Sequence, residues 1–400
     1  MTSREFGAVS VAPTPGSVDL TDEGSEPVPE RFEVTVSEAE IDDLRERLRR
    51  TRWAEAETVG DWSQGAPLDY VRELCRYWAE DYDFGFAARL NAFPQFRTEV
   101  DGLGVHYLHV TSPEPDALPL VLTHGWPGSV YEFLDVLGPL TDPRAHGGDP
   151  ADAFHVVAPS LPGFAWSDKP AGPGWNLPRI AKAWDELMGS LGYERYGAQG
   201  GDWGAAVSIV LDSVAREHLA GVHVNFASLP PLADPAPEEQ QAMEEAMEFV
   251  ATGTGYSKQQ STRPQTLGYG LTDSPAGQAA WIAEKFWAWT DNTGRPEDAV
   301  SRQKILDNIS AYWFTASATS SARIYWENRR DPRGFGEGVG APSGISVYPK
   351  EITRPSRRQA EKYYTDLRWF EELPHGGHFA ALEQPESFVA QVRGFFRLVR

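Results

Sequence analysis

Residues 195–212 read RYGAQGGDWGAAVSIVLD, and the fold turns on how that stretch is parsed. A short apolar run ends near Gly200 and a helix-forming run follows Gly204, with Asp202 between the two glycines. Strand, sharp turn and helix in that order is the grammar of a nucleophile elbow, whose crowded backbone tolerates only small residues two positions either side of the apex. Taken alone, the stretch is equally an ordinary turn whose aspartate caps the next helix. Its surroundings decide.

Upstream, residues 117–129 (ALPLVLTHGWPGS) and 154–168 (FHVVAPSLPGFAWSD) each read as a buried strand running into a Gly/Pro loop, and 180–192 as a helix. Downstream, LAGVHVNFAS (219–228) is another strand. Strands alternating with helices predict an α/β fold, a mainly parallel doubly wound sheet covered on both faces. The alternation breaks from about 231 to 335, where helical spacing recurs in 237–251 and 277–291. Strand grammar returns at GISVYP (344–349) and in 367–382, and 385–399 closes as an amphipathic helix. Ahead of the core, Ser37 and Glu40 have capping-box spacing before Ile41, Leu44 and Leu48. A second amphipathic helix spans 68–84, and 96–112 reads as two strands around an Asp-Gly turn. The expected organisation is a tail over 1–30, an N-terminal helical extension over 31–97, a first core segment over 98–230, a helical lid over 231–335 and a second core segment over 336–400.

The 400 residues are 41% hydrophobic and 24% charged, enough for one large core plus an insertion. A formal net charge of −22 repels phosphate backbones and argues against nucleic acid as a partner. The lone Cys75 excludes an internal disulfide and argues against a structural zinc site, so a cytoplasmic protein is expected. The first thirty residues lack a basic region followed by an apolar one and do not read as a signal peptide. Their Pro, Gly, Ser and acidic content predicts a mobile tail. No apolar run approaches the ~20 residues of a membrane span, so no membrane partner is expected. Arginine far outnumbers lysine and alanine is abundant, a bias of GC-rich bacterial coding. There is no internal repeat and no P-loop.

In an open parallel sheet, ligands bind beyond the carboxyl ends of the strands. HGWPGS, starting at His124, follows such a strand, where an elbow enzyme supplies a second backbone N–H to its oxyanion hole. Glu351 follows the penultimate strand and His378 the last one, so nucleophile, acid and histidine occur in the chain order of α/β-hydrolases. Glu351 is preferred to Asp366 and the Glu371–Glu372 pair because it alone follows a strand end directly. Of the nine histidines, His106, His109 and His223 lie within strands, and His146, His155 and His218 sit in polar or helix-end contexts. His124 is expected to shape the oxyanion loop. His375 lacks the Gly-Gly approach and the apolar FAAL that follow His378.

HGWPGS (124–129), QGGDWG (199–204), YPKEI (348–352) and GGHFAALEQPE (376–386) together resemble the microsomal-type epoxide hydrolases. LNAFPQFRTEVDGLGVHYLHV (90–110) resembles the lead-in that this branch places before its core. The likeness runs through nearly everything after about residue 31. The first thirty residues depart from it, since vertebrate microsomal members carry a membrane anchor there. The resemblance implies an α/β-hydrolase fold whose extension over 31–97 is the N-terminal epoxide hydrolase segment. It implies Asp202 as nucleophile, Glu351 and His378 as the charge-relay pair, and two lid tyrosines. By local pattern these are Tyr256 in GYSKQQSTRP and Tyr325 in RIYWEN, ahead of Tyr269, Tyr312 and Tyr348.

The chemistry suits these residue types. A carboxylate with a pKa near ~4 is already anionic at neutral pH, whereas a serine must first lose a proton. A phenol with a pKa near ~10 is protonated at pH 7 yet donates readily to the far more basic alkoxide of an opening epoxide. The expected reaction makes an Asp202 ester, which water activated by His378 and Glu351 hydrolyses to a vicinal diol, with the oxyanion against the backbone N–H groups of Trp126 and Trp203. Partners are then a small-molecule epoxide and water; no metal, nucleotide or flavin is called for, and a homodimer is compatible. The 14 Trp, 14 Tyr and 19 Phe favour a bulky apolar or aromatic epoxide, although most of these rings belong to the core. Detoxification and a step in bacterial secondary metabolism (an enediyne or polyketide pathway, for example) use the same chemistry. The rivals are a haloalkane dehalogenase-like hydrolase, which would grip halide with N–H donors rather than phenols, and a non-catalytic binding protein on the same scaffold.

Overall fold

The computed structural model describes residues 29–330 and 338–400. The tail expected over 1–30 lies outside them except for its last two residues, as does the lid boundary expected at 335/336. Nine strands form one sheet in the order β1-β2-β3-β5-β4-β6-β7-β8-β9. They are β1 (Glu30–Arg31), β2 (Gln95–Val100), β3 (Leu103–Val110), β4 (Leu118–Thr123), β5 (Phe154–Pro159), β6 (Tyr196–Gly200), β7 (Leu219–Val224), β8 (Ser343–Val347) and β9 (Leu367–Glu372). The first three strands pair antiparallel, as does β3 with β5, and from β5 to β9 every pair is parallel. Strands β6, β7 and β8 are buried along their whole length. That is why they read as continuous runs of small and apolar residues rather than as alternating ones. The Asp-Gly turn between β2 and β3 places Asp101 and Gly102 at φ 48° and 73°, the left-handed pair that a two-residue hairpin favours. A domain boundary at 97/98 therefore falls inside β2.

Between β1 and β2 come α1 (Glu38–Arg49), α2 (Leu68–Glu80) and α3 (Phe86–Asn91). The capping box at Ser37 and Glu40 is formed, and α1 buries Ile41, Leu44 and Leu48. Helices α4 (Leu134–Thr141), α5 (Leu177–Ser190) and α6 (Asp202–Ala215) belong to the α/β alternation. Between β7 and β8, among the described residues, stand six α-helices: α7 (Pro237–Thr252), α8 (Gly255–Thr262), α9 (Pro264–Asp273), α10 (Pro275–Trp289), α11 (Arg302–Phe314) and α12 (Ala318–Arg330). After β8 follow α13 (Arg357–Ala360), α14 (Ala380–Glu383) and α15 (Pro385–Phe396).

The N-terminal helices brace this insertion. Trp78 Nε1 donates to Ser310 Oγ at 3.1 Å, and the Tyr82 hydroxyl donates to Asp307 Oδ1 at 2.7 Å. Arg89 closes on the same buried Asp307 carboxylate. From the same helix, Asn308 Nδ2 donates to the Pro127 carbonyl at 2.7 Å and, a turn further on, the Tyr312 hydroxyl donates to the Gly128 carbonyl at 2.8 Å. An unbroken run of packed elements thus joins α2 to the loop after β4. A buried hydrogen bond contributes about 1 kcal/mol net, but leaving its partner unpaired costs more, so these contacts fix the loop rather than merely cover it.

Candidate active site

All the parallel strands deliver their carboxyl ends to one edge, and β4 lies between β5 and β6 as the point where the chain order reverses. Clefts form at such switch points. The loops after β4, β6, β8 and β9 carry Trp126, Asp202, Glu351 and His378.

Asp202 has φ 49°, a left-handed conformation that a non-glycine residue rarely adopts. The turn is strained because strand and helix are packed too closely for a gentler bend. A Cβ on Gly200 would strike the Gly204 backbone, and one on Gly204 would strike the Thr123 carbonyl. Asp202 is the first residue of α6, so the positive end of that helix lies at the carboxylate. Trp126 N–H donates to Asp202 Oδ1 at 2.7 Å. Gly125 has to be glycine, since a Cβ there would overlap the Asp202 side chain.

His378 and Glu351 are both 5% exposed, and Glu351 Oε1 lies 2.7 Å from His378 Nδ1. Nε2 faces Asp202 Oδ2 at 3.5 Å. Burial alone would depress the imidazole pKa, but the Glu351 and Asp202 carboxylates outweigh it and push it well above the usual histidine range. His378 N–H donates to the Trp289 carbonyl at 2.8 Å, and the Trp289 ring meets the imidazole with centroids 5.0 Å apart. Glu383 accepts from the N–H groups of Asp291 (2.8 Å) and Phe379 (3.0 Å), locking the base loop onto the end of α10.

Above the carboxylate is an aromatic enclosure. Tyr256, in the first turn of α8, stacks on Trp126 (centroids 5.1 Å apart, planes 9° apart), and Tyr325 of α12 meets Trp203 edge-on at 4.8 Å. The two phenol rings are 5.8 Å apart. Burial first, and then negative charge including that of Asp202, raise both phenol pKa values well above 10. The buried Tyr325 hydroxyl has Tyr256 and Trp203 as polar neighbours but makes no well-aligned hydrogen bond among the described residues, an arrangement that a ligand acceptor would relieve. A cavity of about 900 Å³ reaches Asp202 and Tyr256 and is walled by apolar residues including Phe226, Leu232, Met243 and Val347.

The other tyrosines are elsewhere: Tyr269 is 70% exposed, Tyr312 is committed to Gly128, and Tyr348 lies under Gly376. His375 is exposed and 4.0 Å from Asp291. Asp366 pairs with Arg368. His155 departs from expectation. It belongs to β5 rather than to a polar or helix-end segment, with its Nδ1 accepting from Ser112 N–H at 3.0 Å and its ring stacked on Tyr193. His124 is buried and bridges the loop, its Nε2 accepting from Leu161 N–H at 3.1 Å. Among the described residues, no group of three or more His, Cys, Asp or Glu side chains is placed to hold a metal ion, and no helix is long and apolar enough to cross a membrane.

Known proteins share this fold. The family described as "Epoxide hydrolase N terminus" matches residues 29–133, and the α/β hydrolase fold family matches 119–264. A Stigmatella aurantiaca protein, provisionally named an epoxide hydrolase, is 53% identical over 374 residues, covering 92% of this chain and 85% of its own. The chain belongs to the epoxide hydrolase family. Rabbit (Oryctolagus cuniculus) Epoxide hydrolase 1 is 32% identical across 96% of this chain and 92% of that protein. In three dimensions the silkworm (Bombyx mori) juvenile hormone epoxide hydrolase superposes with a TM-score of 0.85 at 30% identity, covering 93% of this chain and 96% of that one. The Aspergillus niger epoxide hydrolase gives 0.84 at 31% identity over 93% and 97%. The protein is thus an enzyme of epoxide hydrolysis with the α/β-hydrolase fold.

Sequence reasoning passed over several residues that this epoxide hydrolase brings to its centre. Glu132 stands deep behind the HGWPGS loop, where burial, opposed in part by His378, pushes its carboxyl pKa up to about 8. Tyr131 and Phe133 are buried on either side of it, whereas Glu132, like Asp202, stays partly accessible. The signal was the second glycine of the motif, because a Cβ on Gly128 would collide with the Glu132 carboxyl. Lys285 is the only lysine or arginine in the buried set among the described residues. Its signal was a charge three residues after Ile282 and four before Trp289, on the buried stripe of α10.

Proposed function

We propose that this epoxide hydrolase opens its substrate through a covalent ester on Asp202. With Oδ1 held by Trp126 N–H, Oδ2 attacks the ring carbon from behind. The carbon–oxygen bond breaks, and the departing oxygen takes a proton from Tyr256 or Tyr325. His378, paired to Glu351, then removes a proton from water, which adds to the Asp202 carbonyl. The tetrahedral oxyanion rests against the N–H groups of Trp126 and Trp203 and collapses with cleavage of the Cγ–Oδ2 bond, the departing diol oxygen takes the proton held by His378, and the proton left on the new Asp202 carboxyl returns to the phenolate. One such donor is worth about 3 kcal/mol of barrier in other enzymes. The single observation that carries the reading is the strained Asp202, held by Trp126 N–H on one oxygen and faced by the His378–Glu351 pair on the other.

The substrate class follows from the walls. A cavity of about 900 Å³ with Phe, Leu, Met and Val side chains around it suits a bulky apolar or aromatic epoxide. Halide would be gripped by N–H donors, whereas two phenols face the space above Asp202, which favours epoxide over haloalkane. A single turnover in heavy-oxygen water tests the ester. The label should enter the protein and leave the first diol unlabelled; a labelled first diol would mean direct hydration and end this reading.

A further inference from the structure

Lys285 is buried, only 5% exposed. It contacts the Glu284 carboxylate and lies over the Tyr256 ring, 4.4 Å from the centroid, with the Trp289 ring 5.5 Å away. A buried charge costs several kcal/mol unless something offsets it, and one neighbouring carboxylate beside a tyrosine face is a sparse setting for it. Nothing in the packing of α10 requires a charge there; Ile282, Phe286 and Trp289 on the same stripe are apolar.

We propose that Lys285 acts through Tyr256 as a positioning and charge-stabilising residue for ring opening. The inference rests on Tyr256 being the proton donor. When Asp202 displaces the epoxide oxygen, that oxygen takes the phenolic proton and leaves Tyr256 as a phenolate, its negative charge spread over the ring that the ammonium covers. A neutral phenol attracts the cation weakly and a phenolate strongly, so the contact strengthens as the barrier is crossed. The surroundings need it. Burial opposes a phenolate at this position most, and Asp202, Glu284 and Glu351 oppose it too, against a favourable hydrogen bond from the Tyr325 hydroxyl. The other cation of the site, His378, is engaged by Glu351 and Asp202. Burial lowers the Lys285 pKa below its ordinary value, and the Glu284 carboxylate opposes that shift.

The test is rapid-mixing measurement of ester formation and ester hydrolysis separately, in full-length Lys285→Met, Lys285→Arg, Tyr256→Phe and the Lys285→Met/Tyr256→Phe double variant. Lys285→Met should slow ester formation about tenfold and leave ester hydrolysis unchanged. Lys285→Arg, which keeps the cation, should recover most of that loss, and Lys285→Met should add nothing once Tyr256 is phenylalanine. Lys285→Gln replaces the methionine variant where the latter does not fold. Unchanged ester formation in the Met or Gln variant would overturn the proposal, and so would an equal loss in the Tyr256→Phe background, which marks a merely structural lysine. An unslowed Tyr256→Phe would instead remove the donor assignment, and with it this proposal.

Discussion

His378 Nε2 stands 3.5 Å from Asp202 Oδ2, on the side of the imidazole opposite its 2.7 Å contact with Glu351. The ring is therefore held between two carboxylates, one close and one farther off. That asymmetry supplies a switch. In the free enzyme both negative charges favour imidazolium, whereas an ester at Asp202 is neutral and removes one of them, releasing the base when water must be activated.

The first prediction isolates that switch. Asp202→Asn should lower the His378 pKa relative to the parent, read from the imidazole signals in an NMR titration. The sign is fixed by linkage. A folded-state pKa above the unfolded ~6.5 gives stability that is complete below that value and lost as pH rises through the folded one. In Asp202→Asn that contribution should be smaller and its loss complete at a lower pH. An unmoved titration would mean that Asp202 does not govern the base.

His378→Gln separates the two half-reactions. Attack by Asp202 needs no base, so one substrate molecule should be consumed per enzyme and then remain attached. Intact-protein mass spectrometry should find the parent mass plus one substrate. Normal steady-state turnover in this variant would contradict the role given to His378.

Ring opening should depend on the phenols. Tyr256→Phe together with Tyr325→Phe removes both donors while keeping the apolar bodies that pack on Trp126 and Trp203. Ester formation should fall by at least ~10²-fold, the lower range for a general acid. A rate close to the parent's would place the proton donor elsewhere.

How much of this was legible beforehand follows the physics of each signal. The parallel sheet, the elbow and the Asp-Gly hairpin announce themselves locally, because backbone sterics constrain residues a few positions apart. Gly200 and Gly204 are small on account of each other and of Thr123. Asp202, Glu351 and His378 were readable because each directly follows a strand, and a parallel sheet brings strand ends together. Glu132 was not, since only the folded 3₁₀ turn shows its carboxyl brought back against Gly128, four residues earlier; Lys285 was not, since its partner Tyr256 lies on another helix. Asn308 and Tyr312 were missed for the same reason, their carbonyl partners lying about 180 residues earlier. His155 was misjudged because a polar residue near a strand's start looks like a loop residue until its partner, Tyr193, is known.

Glu132 yields the last prediction. Its pKa of about 8 keeps the carboxyl protonated at pH 7 inside the fold, whereas the unfolded chain ionises it near ~4.3. A group raised in the folded state costs nothing below the unfolded value and destabilises progressively as pH climbs to the folded one. At pH 7 the difference corresponds to roughly 3 kcal/mol against folding. Glutamine keeps the size and the hydrogen-bonding ability of the neutral acid but has no proton to lose. Glu132→Gln should therefore match the parent near pH 4.5, exceed it in stability at pH 7, and show a flatter profile between those points. Urea midpoints of both proteins at pH 5 and pH 8 measure this directly. Parallel profiles would mean that Glu132 ionises freely in the folded enzyme, that the space it faces is open to bulk water, and that Gly128 is small for another reason.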